Sequence, residues 1–258
     1  IFLVVGPTGS GKTTTLHALL GRIKSAQSKI WTAEDPVEIT QSGLQQVQVN
    51  PGIGFDFASA LRSFLRADPD VILIGEMRDQ ETARIGLEAS LTGHLVFSTL
   101  HTNSAPETIT RLLGLGLDPL DFADALQGVL AQRLVRTLCQ ECKQPYNPKD
   151  QELEQLAHIY ADKKAFQKLA GNGSGLTLYQ VRGCPACSHL GYKGRTGIHE
   201  LLVSDAGIKD LIVRNKDASQ LRQQAVEQGM TSLAQDGVQK ILQGQTDLAQ
   251  LRLVCAQE

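Results

Sequence analysis

A glycine-rich turn close to the start of the chain has the residue types of a phosphate-binding site. Four residues separate Gly6 from Gly11, and Lys12 and Thr13 follow directly. Glycines let backbone N–H groups close around phosphate oxygens, because a Cβ atom would crowd the anion. In this P-loop spacing the lysine reaches the β- and γ-phosphates, and the hydroxyl after it holds Mg²⁺. The residues predicted to hold a nucleotide are Gly6, Thr8, Gly9, Ser10, Gly11, Lys12, Thr13 and Thr14, with Thr13 also as the magnesium ligand.

The sequence on each side of this turn supplies the elements that would position it. Residues 1–5 form an apolar run typical of a strand. The segment after Lys12 has apolar residues at helical spacing, and a helix beginning there points its positive end at the phosphates. An ordinary glycine-rich turn is the alternative, which the position of the motif between a strand and an amphipathic helix disfavours. The apolar positions of the helix are Leu16, Leu19, Leu20 and Ile23.

Carboxylates follow the second predicted strand, residues 29–33. Glu34 and Glu38 belong to an acidic cluster that includes an Asp-Pro pair. The carboxyl ends of parallel strands are where α/β proteins bind ligands, so Glu34 or Glu38 could orient or deprotonate an attacking water. A solvated turn, which Asp-Pro also suits, explains the cluster equally well.

Residues 44–54 are predicted to form a short strand or hairpin with a mobile loop, and a second acidic position follows the strand predicted at residues 70–74. The strand ends in Gly75 and Glu76, the Walker B position of a P-loop site. An acid at this tip can bind Mg²⁺ through water or polarise the nucleophile. Glycine replaces the aspartate that usually precedes the glutamate. This difference limits the kinds of P-loop protein to which the chain can belong.

Two histidines flank the strand predicted at residues 95–100. His101 follows the carboxyl end of the strand, where the phosphate-binding and acidic elements also lie. We therefore predict that His101 contacts the γ-phosphate of a bound nucleotide. His94 precedes the strand, and a nucleotide contact and a structural role are equally consistent with its position.

Two arginines, Arg62 and Arg66, share one face of a helix predicted over residues 55–67. They could reach a phosphate, including one that a neighbouring subunit binds. Surface arginines are often only solvated, so both interpretations stay open.

Short apolar runs alternate with helical patterns up to about residue 135, which indicates an α/β fold with a mostly parallel sheet covered on both faces. The 258 residues, 41% of them hydrophobic, suffice for one or two domains. The formal net charge of −2 gives no basic footprint for nucleic acid. No apolar run approaches the roughly 18 residues of a transmembrane helix. The chain begins inside a strand without Met or a signal peptide, so we expect a piece of a longer, cytosolic protein.

Four of the five cysteines form two CxxC pairs, which residues 143–183 separate. Each pair can present two thiolates to one ion, and two pairs complete the tetrahedral sulfur set of a structural Zn²⁺ site. A dithiol redox pair and free thiols are alternatives that a reducing cytosol disfavours, and His189 is a reserve ligand. The predicted zinc ligands are Cys139, Cys142, Cys184 and Cys187.

The sequence predicts an insert between the cysteine pairs and a helical tail after residue 204. The insert consists of a helix over residues 150–169, a flexible loop at 171–175 and a returning strand at 176–181. The tail consists of short helices whose apolar faces pack together, and it carries no evident chemistry. The predicted helix caps of the tail are Asp205, Asp217, Thr231 and Thr246.

These blocks together resemble the secretion-ATPase superfamily, and most closely the hexameric motors of type II secretion and type IV pilus assembly. The first four blocks correspond to the Walker A motif, Asp box, Walker B motif and His box of that family. The similarity covers nearly the whole chain. The matching blocks are residues 6–14, 32–38, 65–79 and 92–103, followed by residues 132–134, the cysteine pairs and residues 191–197.

The resemblance implies a RecA-like P-loop core at residues 1–135, a tetracysteine zinc subdomain at 136–200 and a small carboxy-terminal helical subdomain at 201–258. It implies ATP as the nucleotide, with Glu34 as the base that activates water and Glu76 as the acid beside Mg²⁺. The residues alone leave these two roles interchangeable. The family also uses arginines that reach a phosphate. The residues at the matching positions of this sequence are Arg62, Arg66, Arg78 and Arg111.

The function implied by the resemblance is that of a homo-hexameric motor that hydrolyses Mg-ATP at the cytoplasmic face of the inner membrane. Its partners would be the inner-membrane platform and cytoplasmic-domain components of a secretion or pilus system. The family's amino-terminal domain, which closes over ATP, would lie outside this sequence.

Three other functions are alternatives to a hexameric secretion or pilus motor. The charge disfavours a DNA-uptake or conjugation motor, and the cysteine module disfavours a pilus retraction ATPase. The intact acidic and histidine positions disfavour a nucleotide-gated scaffold that hydrolyses little.

Overall fold

The computed structural model describes residues 1–171 and 176–255, so positions 172–175 of the predicted loop lie outside the described residues. The strands are β1 Phe2–Val5, β2 Ile30–Glu34, β3 Gln45–Gln48, β4 Val71–Ile74, β5 Leu95–Leu100, β6 Gly128–Leu138, β7 Gln144–Tyr146, β8 Leu178–Gln180 and β9 Tyr192–Val203. The helices are α1 Lys12–Ile23, α2 Phe57–Leu65, α3 Gln80–Leu91, α4 Ala105–Gly114, α5 Pro119–Ala125, α6 Asp150–Tyr160, α7 Lys163–Ala170, α8 Ala206–Val213, α9 Ala218–Glu227, α10 Leu233–Leu242 and α11 Leu248–Cys255.

Seven strands form one sheet in the order β3-β2-β4-β5-β1-β6-β9. Every neighbouring pair from β3 through β6 is parallel. The carboxyl ends of these strands therefore share one edge of the sheet. This topology confirms the predicted α/β fold with a mostly parallel sheet.

Both faces of the sheet are covered, as the sequences of its strands require. All four residues of β4 are buried, and in β1 only Phe2 is partly exposed. Alternate residues of β4 join different clusters: Leu73 packs with Leu16 and Leu20 of α1, whereas Ile74 packs in the cluster to which α2 and α3 contribute. A strand that is buried on both faces has a continuous apolar sequence, which explains the apolar runs seen in the sequence.

The chain folds into two compact units. The first contains residues 1–131 and 201–230, and the second contains residues 132–200 and the chain from 231 onward. The three-part division at residues 135 and 200 stays a prediction. The two units differ from this predicted division chiefly after residue 200, because residues 201–230 belong to the first unit and the chain from 231 onward belongs to the second. In the first unit α8 packs on α5 and α9 packs on α4, whereas in the second unit α10 packs on α6 and α11.

The second unit contains two helices where the sequence predicted one over residues 150–169. Helix α6 ends at Tyr160, and Ala161 adopts a left-handed conformation with φ 63°. Asp162 then accepts a hydrogen bond from the N–H of Ala165 and begins α7. Apolar periodicity missed the break, because it reports the faces of helices and does not detect one left-handed residue between them.

Two of the four predicted caps in the tail are confirmed, at Asp205 and Asp217. The other two lie one residue later than predicted. Ser232 caps α10 in place of Thr231. Asp247 accepts the N–H of Gln250 at the start of α11, while the Thr246 hydroxyl donates to the carbonyl of Arg136. None of the helices within residues 1–171 and 176–255 is both long and apolar enough to cross a bilayer.

Candidate functional site

The loop between β1 and α1 lies at the carboxyl edge of the sheet. Gly6, Gly9 and Gly11 have φ values of 147°, 79° and 89°, which residues with a side chain rarely adopt. Gly11 precedes α1, and no side chain caps this end of the helix. Free N–H groups at a helix start form an anion site. The ammonium of Lys12 donates to the carbonyl oxygens of Gly6 at 2.8 Å and Pro7 at 3.2 Å.

Glu76, two residues after β4, contacts two further side chains. Its Oε2 accepts a hydrogen bond from Arg78 Nε at 2.7 Å, and its Oε1 lies 3.4 Å from His101 Nε2. Burial lowers the pKa of the Lys12 ammonium, and the negative charge of Glu76 acts in the opposite direction. The structure thus brings together three predicted residues, Lys12, Glu76 and His101, and places Arg78 beside them.

Glu34, the last residue of β2, is a buried carboxylate with three polar neighbours. Its Oε1 accepts hydrogen bonds from Thr32 Oγ1 at 2.6 Å and Gln46 Nε2 at 3.0 Å. Its Oε2 lies 3.3 Å from His17 Nε2. Burying a carboxyl group that is only 4% exposed would be costly without such hydrogen-bond partners. The orientation of Glu34 is therefore determined by side chains of β2, β3 and α1.

The tips of β2 and β4 approach so closely that a side chain at Gly75 would crowd the backbone of β2. Its N–H donates to the carbonyl oxygen of Ala33 at 2.7 Å. A Cβ atom at this position would lie 3.0 Å from the same oxygen and 3.3 Å from the Cα of Glu34. A larger residue here would push the tip of β2 away from β4. This contact gives a physical reason for glycine at the place where the Walker B motif usually has aspartate.

One pocket in the first unit is lined by residues from the loop helix and from both acidic strand tips. Its lining includes Thr13, Glu34, Glu38, Glu76 and Arg78. The two candidates for the base differ in burial, because Glu34 is buried and Glu38 is exposed. The acidic cluster after β2 is thus part of a pocket rather than only a solvated turn.

The structure does not bring His94 into this group. The residue precedes β5, at the end of the strand opposite to His101. Its Nδ1 donates to the carbonyl of Ala89, near the end of α3, at 2.8 Å. This placement argues against the predicted contact of His94 with a nucleotide bound by its own chain.

Arg62 and Arg66 also lie apart from the pocket. Arg62 forms an exposed ion pair with Glu81 at the start of α3. Arg66 donates to the carbonyl of Arg62 at 2.9 Å. If these arginines contact a phosphate, as the sequence predicted, that phosphate is therefore bound by another subunit.

His17 lines the same pocket, although the sequence analysis did not single it out. It is 5% exposed and contacts Glu34. The available signal was its spacing, because a residue four positions after Thr13 lies on the same side of the helix. Its apolar neighbours Leu16 and Leu20 concealed this signal by making the segment look like ordinary core.

The second unit brings the four predicted cysteines together. The Sγ atoms all lie within 4.8 Å of one another, and three of the pairs are separated by 3.8 to 3.9 Å. Four sulfurs at ~2.3 Å from a tetrahedral metal would be about 3.8 Å apart. Within the described residues, His189 does not join this group. The four thiols therefore have the spacing of ligands to a single metal ion.

Backbone N–H groups support ionised sulfur in this cluster. The N–H groups of Cys184 and Gly191 each lie 3.2 Å from Cys187 Sγ. Burial of this thiol opposes its ionisation, but these two hydrogen bonds together with those from the thiols of Cys184 and Cys142 lower its pKa to about 6. Burial instead raises the pKa of the Cys142 thiol to about 12, so the cluster favours ionisation at Cys187 first. Since the thiolate is the form that binds metal, this environment fits a ligand.

Comparison with known proteins decides the family. The model of the family described as "Type II/IV secretion system protein" matches residues 1–253. The chain belongs to this family.

Curated relatives of this type II/IV secretion system chain include secretion and pilus ATPases. Type II secretion system ATPase E of Vibrio cholerae serotype O1 is 47% identical over 254 residues, which cover 98% of this chain and 48% of that protein. Type IV pilus assembly ATPase PilB of Myxococcus xanthus is 46% identical over 249 residues, which cover 96% of this chain and 42% of that protein. The chain thus spans about half the length of the curated relatives it matches.

Solved structures share the fold. The pilus retraction motor PilT with bound ADP has a TM-score of 0.69 and 29% identity, covering 98% of this chain and 60% of that chain. The ATPase DotB of Legionella pneumophila has a TM-score of 0.68 at 24% identity, covering 100% and 60% of the two chains, and it shows similarity of fold alone.

The contact at Gly75 predicts a specific loss of stability in this secretion-family chain. We expect Gly75→Val to lower the free energy of unfolding by about 1–3 kcal/mol, because the new side chain overlaps the backbone of β2. Gly114→Val is the matched control, since that glycine is exposed and a Cβ there would meet nothing within 4 Å. Urea unfolding measures both variants, and equal midpoints would contradict the close approach of β2 and β4.

Proposed function

We propose that this chain forms the ATP-hydrolysing part of a motor that powers assembly of a type II secretion pseudopilus or a type IV pilus. The observation that carries this proposal is the convergence of Lys12, Glu34 and Glu76 at one edge of the sheet. Phosphoryl transfer to water requires groups that hold the phosphates, a site for Mg²⁺ and a carboxylate that orients or deprotonates the water. The first unit contains side chains suited to each of these tasks.

The residues of the site suggest a separate role for each group. Lys12 and the N–H groups of the loop would hold the β- and γ-phosphates. The hydroxyl of Thr13, together with Glu76 through water, would hold Mg²⁺, which neutralises the charge that develops on the phosphate oxygens. His101 and Arg78, both beside Glu76, would donate to the γ-phosphate.

Glu34 is the proposed base. Thr32 and Gln46 already occupy its Oε1, so Oε2 is the oxygen that would accept the proton of the attacking water. Glu38 lines the same pocket and is the second candidate. Its exposure makes it the weaker one, because a base in a water-excluding site is held in place by its surroundings.

We further propose that the motor is a homo-hexamer with a RecA-like core, and that each site is completed by a neighbouring subunit. Arg62 and Arg66 are exposed and lie away from the pocket of their own chain, which suits a role toward a neighbour. The names of the two relatives, a type II secretion ATPase and a type IV pilus assembly ATPase, support secretion or pilus assembly as the process that the motor powers. The proposed partners are an inner-membrane platform and cytoplasmic-domain components, with the motor at the cytoplasmic face of that membrane.

The cysteine cluster of the second unit is proposed to hold a structural Zn²⁺. The sulfur spacing supports this ion, and a closed four-sulfur site leaves no position for a substrate. The role of the metal would therefore be to hold β6, the insert and β9 together rather than to take part in hydrolysis.

Loss of either charged group at the nucleotide should abolish turnover. We expect Lys12→Ala and Glu76→Gln each to lower kcat by about 100-fold or more, because each group stabilises charge that develops in the transition state. Phosphate release by the ring-forming full-length protein is the measurement, since neighbours are proposed to complete the site. Glu88→Gln, an exposed glutamate paired with Arg84, is the control and should keep full activity. Unchanged hydrolysis in Lys12→Ala or Glu76→Gln would refute the site.

Purified protein should contain about one zinc per chain, as a closed Cys₄ site requires. We expect Cys187→Ser to lose the metal and to lower the melting temperature of the second unit, because metal binding is coupled to folding. Cys255→Ser should retain the zinc, since this cysteine is not in the cluster. Mass spectrometric metal analysis measures the zinc content, and a metal-free protein with an unchanged melting temperature would refute the structural role.

A further inference from the structure

A buried histidine lies directly behind the proposed base. His17 Nε2 is 3.3 Å from Glu34 Oε2, and His17 Nδ1 is 3.0 Å from Gln41 Oε1. Both His17 and Glu34 are almost completely buried, at 5% and 4% exposure. A ring with both nitrogens engaged cannot turn without breaking a buried hydrogen bond, so its orientation is as restricted as that of the carboxylate.

The two oxygens of Glu34 have different surroundings. Oε1 accepts two hydrogen bonds, from Thr32 on its own strand and from Gln46 on β3. Oε2, the oxygen left for the attacking water, has His17 as its side-chain neighbour. If His17 were apolar, rotation of the carboxylate would be opposed only from the Oε1 side. His17 therefore restricts the position of Oε2, the oxygen that would accept the proton of the attacking water.

The position of His17 links Glu34 to the phosphate-binding helix. His17 follows Thr13 by one turn of α1, so the side chain proposed to hold Mg²⁺ and the one that contacts the base belong to the same rigid segment. Gln41 and Gln46 extend the network, because the N–H of Gln41 donates to Gln46 Oε1 at 2.7 Å. The distance between the metal side and the base side of the pocket is thus set by α1.

We propose that His17 is a positioning residue for Glu34. In its Nε2–H form the ring donates to Oε2 and holds the carboxylate so that its second lone pair can accept a proton from the attacking water. Nδ1 carries no proton in this form, so Gln41 holds the far side of the ring with its amide turned to donate an N–H to Nδ1. This inference rests on the proposed hydrolysis of ATP with Glu34 as the base.

The first test compares two substitutions of similar size in the ring-forming full-length protein. His17→Leu removes the donor and keeps a helix-favouring apolar side chain, and we expect kcat to fall about tenfold with KM for ATP nearly unchanged. His17→Gln restores an N–H near the position of Nε2, and we expect it to keep kcat within about threefold of the unsubstituted protein. A loss confined to KM, or an equal loss in both variants, would overturn the proposal.

The second test asks whether His17 acts through Glu34. In a Glu34→Gln background, His17→Leu should change the residual rate by less than about twofold, because residues that act as a unit are not additive. A full additional loss in the double variant would show that His17 acts independently and would overturn the proposal.

A structural measurement separates this inference from the proposed function. If the protein lacking substitutions hydrolyses ATP no faster than Lys12→Ala, the proposed hydrolysis fails. The crystal structure of His17→Leu still tests the contact itself. A displaced Glu34 carboxylate, restored to its position in His17→Gln, supports the positioning role, and an undisturbed carboxylate in His17→Leu overturns it.

Discussion

The backbone contact between β2 and β4 is the constraint on which the candidate site depends. Gly75 N–H donates to Ala33 O at 2.7 Å, and a Cβ atom at Gly75 would come within 3.3 Å of Glu34 Cα. Because the two strands are parallel neighbours, this contact holds their carboxyl ends side by side. Glu34 at the end of β2 and Glu76 just after β4 therefore line the same pocket.

The remaining parts of the site follow from the direction of the strands. β1 and β5 run parallel to β4 in the same sheet, so the glycine-rich loop after β1 and His101 after β5 reach the same edge. The same geometry places His94 at the opposite edge, where it binds the end of α3. The rule that ligands bind at the carboxyl ends of parallel strands, by which the sequence already favoured His101 over His94, thus agrees with the positions of both histidines.

Much of the site could be predicted because its residues are adjacent to elements that have strong sequence signals. Lys12, Glu34 and Glu76 each follow an apolar run of strand length, and the cysteines occur as two CxxC pairs. His17 could not be recognised in the same way, because a single histidine in an amphipathic helix looks like a core residue until Glu34 is known to face it. The steric reason for Gly75 also depends on a distance between strands, and the left-handed Ala161 gives no periodic signal. Such features depend on tertiary contacts that local patterns do not contain.

We propose that the two strand-tip carboxylates have different roles, with Glu34 at the attacking water and Glu76 at the metal. The most direct test is a structure of the ring-forming full-length protein with Mg²⁺ and a non-hydrolysable ATP analogue. We predict that Glu34 Oε2 accepts a hydrogen bond from the water nearest the γ-phosphate, while Glu76 contacts a water bound to Mg²⁺. A structure in which Glu76 holds the water nearest the γ-phosphate and Glu34 does not contact it would contradict this account.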